Sequence, residues 1–231
     1  MGVPRADGFY GNCDPKNKKN YRTRCSALIK TSEENILIDT SPDLRQQLLK
    51  HNIKKINRVL YSHMHGDQTH GINDLRAFYI NKKKQINVYA DKDTSIYLKR
   101  TFSYIFKSFS SDYPATLKLN KLNNNFYTRN NNKKVNIKTV AVEHGKVKSN
   151  CFIINKKLAY ISDVSKIYEK DFKNFRNLDY LIIDCLLYKS HPSHFSLENA
   201  LSMVEKFKPK KGILTNLSPS IDYKILKNRL P

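Results

Sequence analysis

The stretch Tyr61-Ser62-His63-Met64-His65-Gly66-Asp67-Gln68-Thr69-His70-Gly71 holds three of the chain's seven histidines, directly after the apolar pair Val59-Leu60. A strand ending at this point would present His63 and His65 on one side, because residues two apart in extended backbone share a face. Two imidazoles so placed can bind one cation. Asp67, two residues on, can hold a second cation or a water beside it. This residue set in this order reads as a metal site built for hydrolysis.

Working outward, strand-like runs are predicted at residues 35–39, 58–62, 86–90, 135–142, 151–154, 157–162, 180–187 and 212–215. Helical patterns fill residues 42–51, 72–80, 94–106, 167–175 and 196–207, with Leu44, Leu48 and Leu49 expected on one face of the first. Residues 117–134 are polar and asparagine-rich and are expected to form a loop or a weak hairpin. Polar residues stand where apolar strands end. His63 follows one strand, His144 another, Asp163 a third and Asn216 a fourth. Sheets bring such strand ends together, which is how a fold builds one site from distant sequence.

A chain of 231 residues and 27.0 kDa fits a single α/β domain over residues 1–231. No apolar run is long enough to cross a bilayer, and the opening Met1-Gly2-Val3-Pro4-Arg5 lacks the pattern of a secretory signal. Cys13, Cys25, Cys151 and Cys185 are isolated, which suggests neither a disulfide framework nor a cysteine zinc site. A cytoplasmic protein without membrane attachment is expected. The net charge of +22 admits nucleic acid as a partner. The lysines, however, are spread along the whole chain and travel with asparagine, as in Asn130–Lys134. That spread favours a general surface composition over a dedicated nucleic-acid face, while still drawing in a phosphorylated substrate.

With these residues in view, the chain resembles the metallo-β-lactamase superfamily, and within it the phosphodiesterase branch that includes the cyclic phosphate phosphodiesterase of the carbon–phosphorus lyase pathway. The resemblance runs through Gly2–Arg5, Arg22–Ser26, Ile36–Leu49 and Ser62–Arg76. It continues through Val142–Gly145, Ile161–Ser165 and His191–Leu201 to the Leu214-Thr215-Asn216-Leu217-Ser218 segment. It implies a four-layered αββα sandwich with metals at one edge of the sheets. It also implies that His63, His65 and His144 hold a first metal, that Asp163 bridges two metals, and that Asp67 sits at the second. A metal-bound hydroxide would attack phosphorus, and His194 would stabilise the phosphoryl oxygens or protonate the leaving alkoxide. His70 and Asp74 would orient those ligands or brace the loop that carries them.

The chain also departs from the family's pattern. Gln68 and Asn216 stand where relatives carry two histidines of the second metal position. Their amide oxygens are weak ligands, and with Asp67 and Asp163 they make an oxygen-rich set that suits Mn²⁺ or Mg²⁺ better than Zn²⁺. The expected cofactor is therefore a divalent ion, zinc or manganese, at the first position, with a second ion or none beside it. Relatives have a cysteine cluster near Gly11–Pro15 for a structural zinc, whereas only Cys13 stands here, so no such zinc is expected. The family's usual first and last strands are expected to be missing, which would leave a sheet edge open to a homodimer. The function implied is hydrolysis of a small or cyclic phosphodiester. A tRNA-processing nuclease of the same superfamily and a degenerate, non-catalytic metal-binding protein are the alternatives.

Overall fold

The computed structural model describes residues 2–31, 34–130 and 133–231. The chain divides into two compact units, one of Arg24–Asn123 and one of Met1–Thr23 with Asn124–Pro231. Each is built on its own mixed sheet with helices on the connections. No helix among the described residues is long and apolar enough to cross a membrane.

The sheet of the Arg24–Asn123 unit has the order β1 (Ala27–Lys30), β2 (Asn35–Ile38), β3 (Arg58–Leu60), β4 (Ile86–Ala90) and β5 (Leu117–Lys121). β1 and β2 are antiparallel and the other neighbours are parallel. Parallel neighbours need crossovers. Here these are α1 (Leu44–Lys50), α2 (Gly66–Thr69), α3 (Arg76–Lys82), α4 (Lys92–Thr101) and α5 (Ser103–Phe106). Leu37, Val59, Val88 and Leu117 of the strands pack with Leu44, Leu48, Ile72, Leu75 and Leu98 of the crossovers in one apolar core. Leu49, expected on the buried face of α1, is 61% exposed. Leu44 and Leu48 are four apart and lie on one face, whereas a fifth residue has turned well past it.

The second unit has the order β11 (Lys211–Thr215), β10 (Tyr180–Asp184), β9 (Leu158–Ile161), β8 (Val147–Ile154), β7 (Lys133–His144) and β6 (Asn125–Asn130). β6 to β9 are antiparallel and β9 to β11 parallel. Asn155 and Lys156 both take positive φ, 52° and 54°, which makes the tight β8–β9 turn. A 3₁₀ segment, Glu169–Phe175, and α6 (Leu197–Phe207) make the parallel crossovers. Ser196 and Asn199 cap α6 reciprocally. Near the end of the chain, α7 (Tyr223–Lys227) is capped by Asp222.

The expectation for residues 117–134 holds in part: β6 pairs antiparallel with β7, which follows it in the chain, from Asn130 and Lys133 onward, whereas β5, not expected as a strand, joins β4 in the other sheet. Asn131 and Asn132, part of that stretch, lie outside the described residues. Lys and Asn are poor strand formers by propensity, and here the ladder with an apolar neighbour overrides it. In the same unit, Arg22 donates to the carbonyls of Leu217, Ser218 and Ile221, and Cys13 Sγ lies 3.3 Å from those of Pro219 and Ile221. Hydrogen bonds thus tie the segment before Thr23 to the segment after Asn216.

Candidate metal centre

In the Arg24–Asn123 unit β3 stops at Leu60, so His63 and His65 leave the strand's end rather than sit in it. The chain stays extended, and His65 serves as N-cap of α2 with ψ 152°. The two imidazoles still converge, with His63 Nε2 3.0 Å from His65 Nδ1. Two nitrogens on one tetrahedral ion stand roughly 3.3 Å apart, given bonds of about 2 Å. The pair thus has the spacing that a single ion requires.

The tautomer of His63 follows from its neighbours. Asp39 is buried at the end of β2, with φ 61°, and its carboxylate can only accept hydrogen bonds. Ser62 N and Ser62 Oγ both donate to it at 2.7 Å. The hydroxyl proton is then committed, so Ser62 Oγ must accept from His63 Nδ1, 3.0 Å away. Nδ1 carries the hydrogen and Nε2 keeps a lone pair facing His65. This carboxylate–hydroxyl–imidazole chain orients the His63 ring from behind, as hydrogen bonds do for imidazoles that bind metals.

Asp67 lies in the first turn of α2, and its charge is among the causes that raise the Arg24 pKa, behind the hydrogen bond and charge of Asp43. Gln68 is fully buried, and its carbonyl accepts from Thr40 N at 2.7 Å. Gly71 docks the end of this loop. A Cβ there would stand 2.0 Å from Ser41 O, so only glycine allows the approach. His70 is exposed, with Nε2 2.9 Å from Tyr97 Oη and its ring against Phe102, and so braces the loop against α4. Asp74 N donates to Gly71 O, and the Asp74 side chain has no partner among the described residues.

The second unit gathers His144, Asp163 and His194, one ligand atom from each lying within 4.8 Å of the others. His144 ends β7, Asp163 follows β9, and His194 precedes α6. His144 Nδ1 donates to Ser193 O at 2.6 Å, which leaves Nε2 as a ligand. His194 Nδ1 donates to Asp184 Oδ2 at 2.8 Å and lies 3.8 Å from Asp163 Oδ1. The rings of His144 and His194 meet edge to face. Burial pushes Asp184 up to about 6, against the opposing pull of His194. Burial also works against protonation of His194, but the hydrogen bond and charge of Asp184, with Asp163 behind it, outweigh that and raise its pKa.

Asn216, with φ 60°, turns its amide nitrogen toward Asp163 Oδ1 and Asp184 Oδ1, both at 3.2 Å, and toward Ser162 O at 3.3 Å. It therefore meets the carboxylates as a hydrogen-bond donor, where the family resemblance places an imidazole facing a cation. Each unit presents imidazole lone pairs fixed by hydrogen bonds from behind, and the donor set of nitrogens and carboxylate oxygens fits a divalent ion. Asp39, Ser62, Asp184 and Ser193 escaped the sequence reading. Asp39 and Asp184 carried its own signal, an acidic residue closing an apolar strand, whereas Ser193 acts through a carbonyl and left none.

A family model described as a beta-lactamase superfamily domain matches residues 34–215. The octanoyltransferase of Porphyromonas gingivalis is 29% identical over 221 residues, covering 94% of this chain and 44% of that protein. The chain thus spans less than half the length of this curated relative. Among solved structures, a diphosphatase from the PhnP family superposes with a TM-score of 0.86 at 28% identity, covering 100% of this chain and 87% of that one. Zinc-bound PqqB from Methylobacterium extorquens gives 0.70 at 15%, covering 90% and 83%. The short form of human tRNase Z gives 0.68 at 19%, covering 85% and 87%. At these last two identities the likeness is one of fold.

Proposed function

Because the chain belongs to the β-lactamase superfamily, we propose that it is a metal-dependent phosphodiesterase acting on a small phosphodiester. The observation that carries this reading is the cluster of His144, Asp163 and His194, with His194 hydrogen-bonded to the buried Asp184. The full-length likeness to a PhnP-family diphosphatase supports phosphorus as the reacting centre.

In this reading His63, His65 and Asp67 of one unit, and His144 and Asp163 of the other, are metal ligands. When bound, the ions supply Lewis-acid polarisation of the phosphoryl oxygens and a source of nucleophile. Gln68 and Asn216 supply no imidazole, and Asn216 donates to the carboxylates, so the oxygen-rich set that is left favours manganese over zinc. His194 is the proton donor. Asp184 holds its Nδ1 proton, and the proton on Nε2 passes to the departing alkoxide. The hydrogen bond and charge of Asp184 favour the protonated form of that ring. Asp39 through Ser62, and Ser193 through its carbonyl, keep His63 and His144 from rotating away.

The test is a screen of defined divalent ions against bis-p-nitrophenyl phosphate, a cyclic nucleotide and a precursor tRNA. Hydrolysis of the small diesters, restored by manganese after chelation and lost in His63→Ala and His194→Ala, is expected. No hydrolysis with any ion in a folded sample would move the reading to a non-catalytic metal-binding protein. Cleavage of the tRNA alone would make it a nuclease.

A further inference from the structure

Within the Arg24–Asn123 unit a cavity of about 360 Å³ opens beyond the loop that carries His63–His70, lined by Asn73, Arg76, Tyr104, Phe109 and Tyr113. Its rim is aromatic and wet. Phe109 is 69% exposed, Tyr113 63% and Tyr104 49%, three large rings within ten residues of sequence. Leaving that much apolar surface in water is costly unless something covers it. The aromatics flank a single concavity rather than a broad apolar face, since the residues between the last two rings are Ser110, Ser111 and Asp112. A volume of this order suits a small molecule.

The polar groups narrow the chemistry. Arg76 is exposed, and its side chain has no hydrogen-bond or ion-pair partner among the described residues. Asn73 Oδ1 accepts from the Tyr104 hydroxyl, which fixes the amide and leaves both Nδ2 hydrogens for a ligand. The loop that carries the rings is already organised. Phe109 N donates to Tyr113 O at 3.1 Å, Ala115 N to Ser108 Oγ at 3.0 Å, and Thr116 N to Ile105 O at 2.9 Å. A pocket shaped before binding spends less on ordering.

We propose that this pocket binds a nucleotide, with its base between Phe109 and Tyr113 and its phosphate on Arg76. Rings stack on any base face, and a planar guanidinium with free donors takes a phosphate in two-point contact. The inference does not depend on the phosphodiesterase reading, because a nucleotide with its phosphate on Arg76 is a ligand of this pocket in its own right.

Isothermal titration calorimetry of the full chain at physiological salt, with AMP, ribose 5-phosphate and adenosine, tests it. AMP is expected to bind at least about tenfold tighter than either fragment, the usual worth of one stacked base. Arg76→Ala brings AMP down to the level of adenosine, and the Phe109→Ala/Tyr113→Ala variant brings it down to ribose 5-phosphate. Equal binding of AMP and ribose 5-phosphate would overturn the proposal, since any lysine-rich surface takes a phosphate. So would AMP binding that neither variant changes. A concentration-dependent dimer abolished by the double variant, without AMP binding, would overturn it in favour of a second copy of the chain. The catalytic reading is judged separately, by wild-type hydrolysis of bis-p-nitrophenyl phosphate.

Discussion

Asp184 acts on His194 through a hydrogen bond and through its charge. Its carboxylate accepts from His194 Nδ1, Val164 N and Asn216 Nδ2, and it is fully buried. An asparagine there keeps the shape but removes the charge that favours the His194 proton and fixes its tautomer. Asp184→Asn is expected to lower kcat by about 10- to 100-fold, the usual effect of losing such an orienting partner. KM and the circular dichroism spectrum should stay close to wild type. A matching loss of secondary structure would make Asp184 a folding residue instead. At this scale the sequence showed residue types but not their pairing. Asp163 and Asp184 both close apolar strands, and only the second faces His194 at hydrogen-bond distance.

Strands and caps set where these residues stand. The four polar strand ends read from the sequence, His63, His144, Asp163 and Asn216, do follow β3, β7, β9 and β11 or close them. Asp39 after β2 and Asp184 at the end of β10 extend the same pattern. β5 was illegible because its pairing with β4 supplies the order that lysine and asparagine do not. A cap provides the test at this scale. Asp222 accepts from Ile225 N and Lys224 N of α7, and also from Asn20 Nδ2 and Asp14 N. The backbone bond from Ile225, ahead of Asn20 and Asp14, holds its pKa down at about 2. A folded pKa below the unfolded value of about 3.9 means stability that is present above the unfolded value and lost as pH falls toward 2. Asp222→Ala is expected to cost about 1–2 kcal/mol at neutral pH by denaturant titration, in line with other N-caps. The gap between variant and wild type should shrink below about pH 4. A gap constant across that range would mean that packing, not charge, carries the effect.

Across the whole molecule, 42 basic residues face 20 acidic ones. Such a field draws anionic substrates inward and is screened by salt over about 10 Å. For a phosphodiester substrate, kcat/KM should fall several-fold between low and moderately high ionic strength, with kcat nearly unchanged. A kcat that falls in step would place the salt effect in the chemistry rather than the encounter. The motifs in their order along the sequence were enough to place the chain in its superfamily. Those features are local, and a strand or loop motif is written in consecutive residues. The tertiary structure alone decided which nitrogen of each imidazole stays open, because Asp39 lies 23 residues from Ser62 and Ser193 lies 49 residues from His144. It also turned Asn216 toward carboxylates 53 and 32 residues away. Hydrogen bonds between groups so far apart exist only once the chain has folded, so no reading of neighbouring residues could supply them.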